Sequence, residues 1–183
     1  MSGASGGINP KTFGEGDVIA IHSEGGQSCV QVFFYRSGQN WGNNSYFPRH
    51  TKEDDTADVI DAFIAQFYLN KPIPKNIFVN QTLPNRELLE SGLSERSGRN
   101  IKISKPARGE KKMLVDRAVK NAQEALARKM AETASQQRLL KELQEVFGLD
   151  DMPNRIEVYD NSHIQGSNAV GAFIVAGLSL IHI

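Results

Sequence analysis

Residues 17–48 read DVIAIHSEGGQSCVQVFFYRSGQNWGNNSYFP, and this stretch decides the fold. Val18 to His22 is a short apolar run that stops at Glu24-Gly25-Gly26. Ser28 to Tyr35 is a second, stopping at Ser37-Gly38, and Trp41 to Phe47 is a third, ended by Pro48. Runs this short, rich in Val, Ile and aromatic residues and fenced by Gly and Pro, read as three consecutive strands joined by tight turns. Upstream, residues 1–16 hold five Gly and two Ser and little that is apolar, so they read as a mobile lead-in, with structure beginning near Asp17.

Downstream the period changes. Val59, Ile60, Phe63, Ile64, Phe67 and Tyr68 recur at three and four, which predicts a helix with one buried stripe, acidic at its start and stopped by Pro72. Lys75 to Asn80 reads as a fourth strand, Arg86 to Leu93 as a short helix closed before Gly98, and Asn100 to Ser104 as a fifth strand. Glu110 to Phe147 is the longest helical stretch, with a centre at Ala134 to Gln137 polar enough to allow a kink, and Gly148 is its C-cap. Pro153 resets the chain. Ile156 to Tyr159 and Ala169 to Ala176 then read as two strands around a turn from Ser162 to Asn168. Three sequential antiparallel strands followed by alternating helices and strands, closed by a long helix, is the order of the ribonuclease H fold, an α/β fold with a mixed sheet. The strands after Pro153 repeat its opening. The expected organisation is a lead-in (1–16), a ribonuclease H-like domain (17–148), the start of a second such domain (153–177) and a tail (178–183).

The chain has 183 residues and 20.2 kDa, with 21 Lys and Arg against 21 Asp and Glu, enough for one core and a piece of another. An apolar fraction of 39% with 23% charged residues excludes a disordered composition. No apolar run is long enough to cross a bilayer, and MSGASGGINP lacks the basic and apolar regions of a signal peptide, so the expectation is a cytoplasmic protein without a membrane partner. Cys29 is the single cysteine and makes neither an internal disulfide nor a metal knuckle. With zero net charge, any nucleic-acid contact has to come from a local patch.

Asp160 ends the run Arg155-Ile156-Glu157-Val158-Tyr159-Asp160. A carboxylate pointing from a rigid first strand into a cleft can hold a divalent metal; the alternative is an Asp that initiates the following turn by accepting backbone N–H bonds. The run from Arg155 to Gly166, followed by Asn168-Ala169-Val170-Gly171-Ala172, resembles the start of the endonuclease domain of the UvrC family, the excinucleases of bacterial nucleotide excision repair. Upstream blocks resemble the same family in the same order: Gln31 to Phe34, Gly38 to Gly42, Phe47-Pro48, Phe63 to Tyr68, and Pro106 to Lys112. The resemblance covers roughly residues 8–177. It implies that Asp160 is a catalytic, metal-binding carboxylate of the 5′ incision, with Mg²⁺ or Mn²⁺ as the ion, damaged DNA as substrate and the helicase UvrB as partner. No catalytic role is carried to His163, which reads equally as a turn histidine.

The resemblance also implies that the remaining catalytic carboxylate and histidine, and a paired helix-hairpin-helix module, lie beyond Ile183, and that a GIY-YIG nuclease and the UvrB-binding segment lie before Met1. The chain is thus expected to be an internal fragment without incision activity or tight metal binding of its own. Leu178 to Ile183 depart from the family, which continues with a Gly-rich turn, and read as foreign sequence. In the first domain, His22 and Ser23 stand where an active ribonuclease H-like strand needs Asp, and the fourth strand ends in Asn80, so this domain reads as catalytically silent, with Glu24 the nearest carboxylate. The rival to a nuclease is a non-enzymatic DNA- or protein-binding scaffold. Arg99, Lys102, Lys105, Arg108, Lys111 and Lys112 face only Glu110 within their stretch and form a candidate phosphate-binding segment, the alternative being a solvated loop and helix start. Trp41 and Tyr46 are candidates for stacking on bases, or for core and edge packing.

Overall fold

The computed structural model describes residues 14–153, 155–157, and, by their backbone pairing, 158–164 and 167–177. Of the lead-in expected over 1–16, residues 1–13 lie outside the described residues, as does the tail at 178–183, and Gly16 already belongs to the first strand. The chain divides into two compact units, 1–127 and 128–183.

In the first unit, β1 (Gly16–Glu24), β2 (Gln27–Arg36) and β3 (Gln39–Tyr46) form an antiparallel meander. Both of its turns have two residues. Gly25 and Gly26 take φ of 60° and 75°, Ser37 and Gly38 take 51° and 74°, and two successive positive φ values are what a hairpin turn matching the strand twist requires. Helix α1 (Thr56–Phe67) follows, with the Asp55 side chain accepting from the Ala57 N–H at its start. It closes at Phe67 rather than running to Pro72. Tyr68 caps it, its N–H reaching the Ile64 carbonyl.

β4 (Asn76–Val79) then pairs parallel with β1, α2 (Arg86–Ser97) ends on Gly98 at φ 67°, and β5 (Lys102–Ser104) pairs parallel with β4. The resulting order, β3-β2-β1-β4-β5, is that of the ribonuclease H fold, as the element order predicts. Both faces of the sheet are covered. Ile19, Ile21, Val30 and Val32 pack with Val59, Ile60, Ile64, Phe67 and Leu93 from α1 and α2. Val18, Ala20, Phe33, Tyr35 and Phe78 pack under Leu114, Val115 and Ala118 of the long helix α3 (Gly109–Phe147). β1 is therefore buried on both sides, which is why it reads as a continuous apolar run rather than an alternating one.

α3 is a single helical element through Ala134 to Gln137, where the polar sequence allows a kink, and Gly148, at φ 60°, follows its last residue. The expected domain boundary lies at 148, whereas the first compact unit closes within α3 after Ala127. Leu126 is the last residue of that stretch to be fully buried, and the helix surface beyond it is mostly exposed. In the second unit, β6 (Arg155–Ile164) and β7 (Ser167–Gly177) form an antiparallel hairpin. Among the described residues no helix is long and apolar enough to cross a membrane.

Candidate nuclease-like site and basic surface

Asp160 lies inside β6, paired with Ala172, and not at the end of its strand. The ladder continues through Asn161↔Gly171, Ser162↔Val170 and His163↔Ala169 to Ile164↔Ser167, with an irregularity between His163 and Ile164. The turn expected over Ser162 to Asn168 is thus confined between Ile164 and Ser167, and its two residues, 165 and 166, lie outside the described residues. Asn161 and Ser162 look like turn formers by type, but cross-strand pairing decides strand extent more than residue preference does. The reading of Asp160 as a turn initiator, and of His163 as a turn histidine, falls with that correction.

The hairpin of the first unit can be aligned with this one from their turns. Asp160 stands four residues before Ile164, the last paired residue of β6, and Ala20 stands four before Glu24, the last of β1. Ala20 is wholly buried among the side chains under α3. The first unit thus has a methyl group at the place where the second has a carboxylate. His22 and Ser23, read as the strand end, lie within β1, paired with Cys29 and Ser28.

The polar residues near that end are engaged with one another. Ser23 Oγ and Ser28 Oγ are 2.6 Å apart, Ser28 Oγ is 2.7 Å from His50 Nε2, and His50 Nδ1 is 2.7 Å from the Thr51 carbonyl. The Thr56 hydroxyl donates to Ser23 Oγ at 3.3 Å. His22 faces Glu24 at 3.5 Å, and the Glu24 side chain is 68% exposed. Asn80, at the end of β4, uses its amide on the backbone of β1: Ile21 N–H donates to Oδ1 at 2.9 Å and Nδ2 donates to the Ile21 carbonyl at 2.8 Å. It extends the parallel ladder by one more rung after Ile19↔Val79. Among the described residues no group of three His, Cys, Asp or Glu side chains comes together as a cation site.

One buried polar cluster escaped the sequence reading. Asp17 is 1% exposed, and Arg36 Nη1 donates to its Oδ1 at 2.7 Å while the Tyr68 hydroxyl donates to its Oδ2 at 2.7 Å. Burial pushes the Asp17 carboxyl up from its ordinary value, and the hydrogen bonds from Arg36 and Tyr68 pull it part of the way back. Burial, and then the Asp17 charge, hold the Tyr68 hydroxyl protonated well above the usual phenol range, so it remains a donor. The signal was available in part. With Gly25-Gly26 as a two-residue turn, Asp17 falls opposite Phe34 and diagonal to Arg36, a reachable cross-strand ion pair.

The residues of the basic segment have different surroundings. Arg99 joins Lys71 and Arg96 around an open pocket, its Nη2 donating to the Ile73 carbonyl and lying 3.7 Å from Glu15. Lys102, on β5, Lys105 and Arg108 are exposed. Lys111 Nζ sits 5.0 Å from the centre of the Phe78 ring, and Lys112 pairs with Asp116 one helical turn on. The two aromatic candidates part company. Tyr46 packs on Phe63 and Phe67 with ring centres 5.3 and 5.5 Å away, whereas Trp41 is 73% exposed.

The family model described as the UvrC Ribonuclease H-like domain matches residues 15–129, and that described as the UvrC RNAse H endonuclease domain matches residues 144–180. The UvrABC system protein C of Maricaulis maris (strain MCS10) is 60% identical over 171 residues, which are 93% of this chain and 27% of that protein. Those of Chelativorans sp. (strain BNC1) and Brucella abortus (strain 2308) are 57% and 56% identical over the same share of this chain, covering 26% and 28% of their own lengths. The chain spans about a quarter of the length of the curated relatives it matches.

Proposed function

Since the chain belongs to the UvrC ribonuclease H-like family, we propose that it serves in a UvrABC-type excision of damaged DNA, its two parts playing unequal roles. Residues 15–129 are a silent copy of the nuclease fold, kept as scaffold and DNA contact. Residues 144–180 open the working copy, in which Asp160 supplies one carboxylate of the 5′-incision centre. The observation that carries this reading is the substitution between the two hairpins: Ala20, buried in packing, at the position of Asp160.

The metal implied is Mg²⁺ or Mn²⁺, hard cations that take oxygen ligands and activate water beside a phosphodiester. One carboxylate does not hold two such ions, and the described residues offer no cluster of three His, Cys, Asp or Glu side chains to add to it, so in this reading further ligands join Asp160 at the centre. The other ligands, the UvrB contact and the 3′ cut belong to the further length that the relatives carry. Such a role is one for the cytoplasm. The runner-up, a scaffold that binds DNA or protein without cutting, is the fitting description of residues 15–129 taken alone.

Incubating the purified 183-residue chain with supercoiled plasmid in Mg²⁺ or Mn²⁺ is expected to leave the plasmid uncut. Nicking that co-purifies with the chain and survives Asp160→Ala would place a second active site in it, with Glu24 the first carboxylate to replace.

A further inference from the structure

Two open pockets of the first unit share a wall. The larger, about 440 Å³, is lined by the cations Lys71, Arg96 and Arg99 together with Pro72, and the smaller, about 330 Å³, by Phe34, Arg36 and Trp41 together with the same Lys71 and Pro72. Among the described residues no carboxylate lines either one. The trough they form is therefore cationic at one end and aromatic at the other, with Lys71 at the junction.

The cations are held in place from behind. Arg96 Nη2 donates to the Leu69 carbonyl at 2.7 Å, Arg99 Nη2 to the Ile73 carbonyl, and Arg36 Nη1 to Asp17, which uses part of each fork. A guanidinium has five donors, so each keeps others for a ligand, and a fork fixed by backbone loses little freedom when it binds. Glu15, 3.7 Å from Arg99, offsets part of that charge. Lys71 Nζ lies 5.2 Å from the centre of the Phe67 ring, and Phe34 stacks on Phe67 at 6.3 Å, giving the aromatic end a rigid floor. Trp41, on the edge strand β3, presents nearly three quarters of its surface to solvent. A large ring left uncovered beside fixed cations fits a ligand that offers flat faces and regularly spaced anions.

We infer that this trough binds single-stranded DNA, a base stacking on Trp41 while Lys71, Arg96 and Arg99 take the phosphates. An acidic peptide offers anions but no faces for the ring, and duplex DNA keeps its bases stacked inside. The inference deepens the repair reading and rests on it for DNA as the nucleic acid. It gives the silent unit a specific task, holding a strand that has been separated from its partner.

The chain has one tryptophan, so its emission reports on Trp41 alone. Titrating the 183-residue chain with a labelled oligo(dT) of about 20 nucleotides, long enough for the 4–16 that such sites take, should quench that emission in step with the rise in anisotropy. Trp41→Ala should weaken binding by about five- to a hundredfold, the usual worth of one stacked base. Lys71→Ala and Arg96→Ala should each lower the slope of log affinity against log salt by about 0.7, with circular dichroism unchanged because both side chains are exposed. Binding without quenching, unaffected by these variants but weakened in salt slope by Lys105→Ala with Arg108→Ala, would overturn the trough and leave DNA contact to the basic segment. Equal quenching by poly-L-glutamate would overturn the nucleic-acid assignment. Absence of any oligo(dT) binding would overturn the inference too, whereas the repair reading is judged separately, by incision in a chain of the relatives' full length.

Discussion

Asn80→Asp puts an acid back at the end of β4, where an active ribonuclease H-like strand carries one, and the structure says that the change costs stability. Asn80 acts as an amide clip. Its Oδ1 accepts from Ile21 N–H at 2.9 Å and its Nδ2 donates to the Ile21 carbonyl at 2.8 Å. An ionised aspartate keeps the first bond and strengthens it, since a charged acceptor forms a stronger bond than a neutral one. It loses the second, and sets a carboxylate oxygen against the Ile21 carbonyl. An unsatisfied, partly buried backbone group costs about 1–3 kcal/mol and a strengthened bond returns about 1 kcal/mol, which leaves a loss of about 0–2 kcal/mol at neutral pH, and the oxygen–oxygen repulsion adds to it. With a urea slope of about 1–3 kcal/mol per M, the midpoint should fall by about 1 M, read by far-UV circular dichroism. Acid should reverse the loss. The oxygen repulsion raises the carboxyl of the folded variant above its unfolded value of about 3.9, so protonation regenerates a donor towards Ile21, and the deficit shrinks as pH falls towards about 4. A variant as stable as the parent at neutral pH, or one whose melting temperature rises when Mg²⁺ is added, would refute the clip and reopen the first unit as a metal site.

Two further predictions concern the buried Asp17. Because burial raises its carboxyl in the folded state, the fold binds that proton more tightly than the unfolded chain does, and Asp17's contribution to stability decreases as pH rises above 3.8 through the folded value. Urea midpoints of the parent minus those of Asp17→Asn, taken from about pH 3.5 to about pH 7.5, should therefore decline with pH; a difference that climbs instead would mean that the Arg36 pair outweighs burial. Tyr68→Phe keeps the ring, whose centre is 5.0 Å from that of Phe67, but strips the Oδ2 oxygen of Asp17 of the hydroxyl that reaches it, at a cost of about 2 kcal/mol in the same assay. A loss below about 0.5 kcal/mol would show that water serves Oδ2 as well.

The sheet was readable because its strands are local events. Val18 to Ile21 has no polar gap, Gly25-Gly26 and Ser37-Gly38 have the residues a two-residue turn needs, and α1 repeats Val59, Ile60, Phe63, Ile64 and Phe67 at helical spacing. What stayed hidden depends on partners distant in the chain. Tyr68 meets Asp17 across 51 residues, and Arg99 reaches the Ile73 carbonyl across 26, so neither leaves a mark in any short window. Asn80 was legible as a missing acid but not as a clip, because its partners are backbone atoms and carry no residue signature. Asp160 was picked out by family resemblance. Its position inside β6 was not, since Asn161 and Ser162 favour turns until β7 is there to pair with them.

Asp160 is the residue whose loss is most telling. In a chain of the relatives' full length, assembled on lesion-bearing duplex in the presence of Mg²⁺ or Mn²⁺, Asp160→Ala should abolish the cut 5′ to the lesion and leave the 3′ cut at the parent's rate. Two cuts at parental rates would remove Asp160 from the incision centre, and loss of both with an unchanged circular dichroism spectrum would make it a residue of assembly instead.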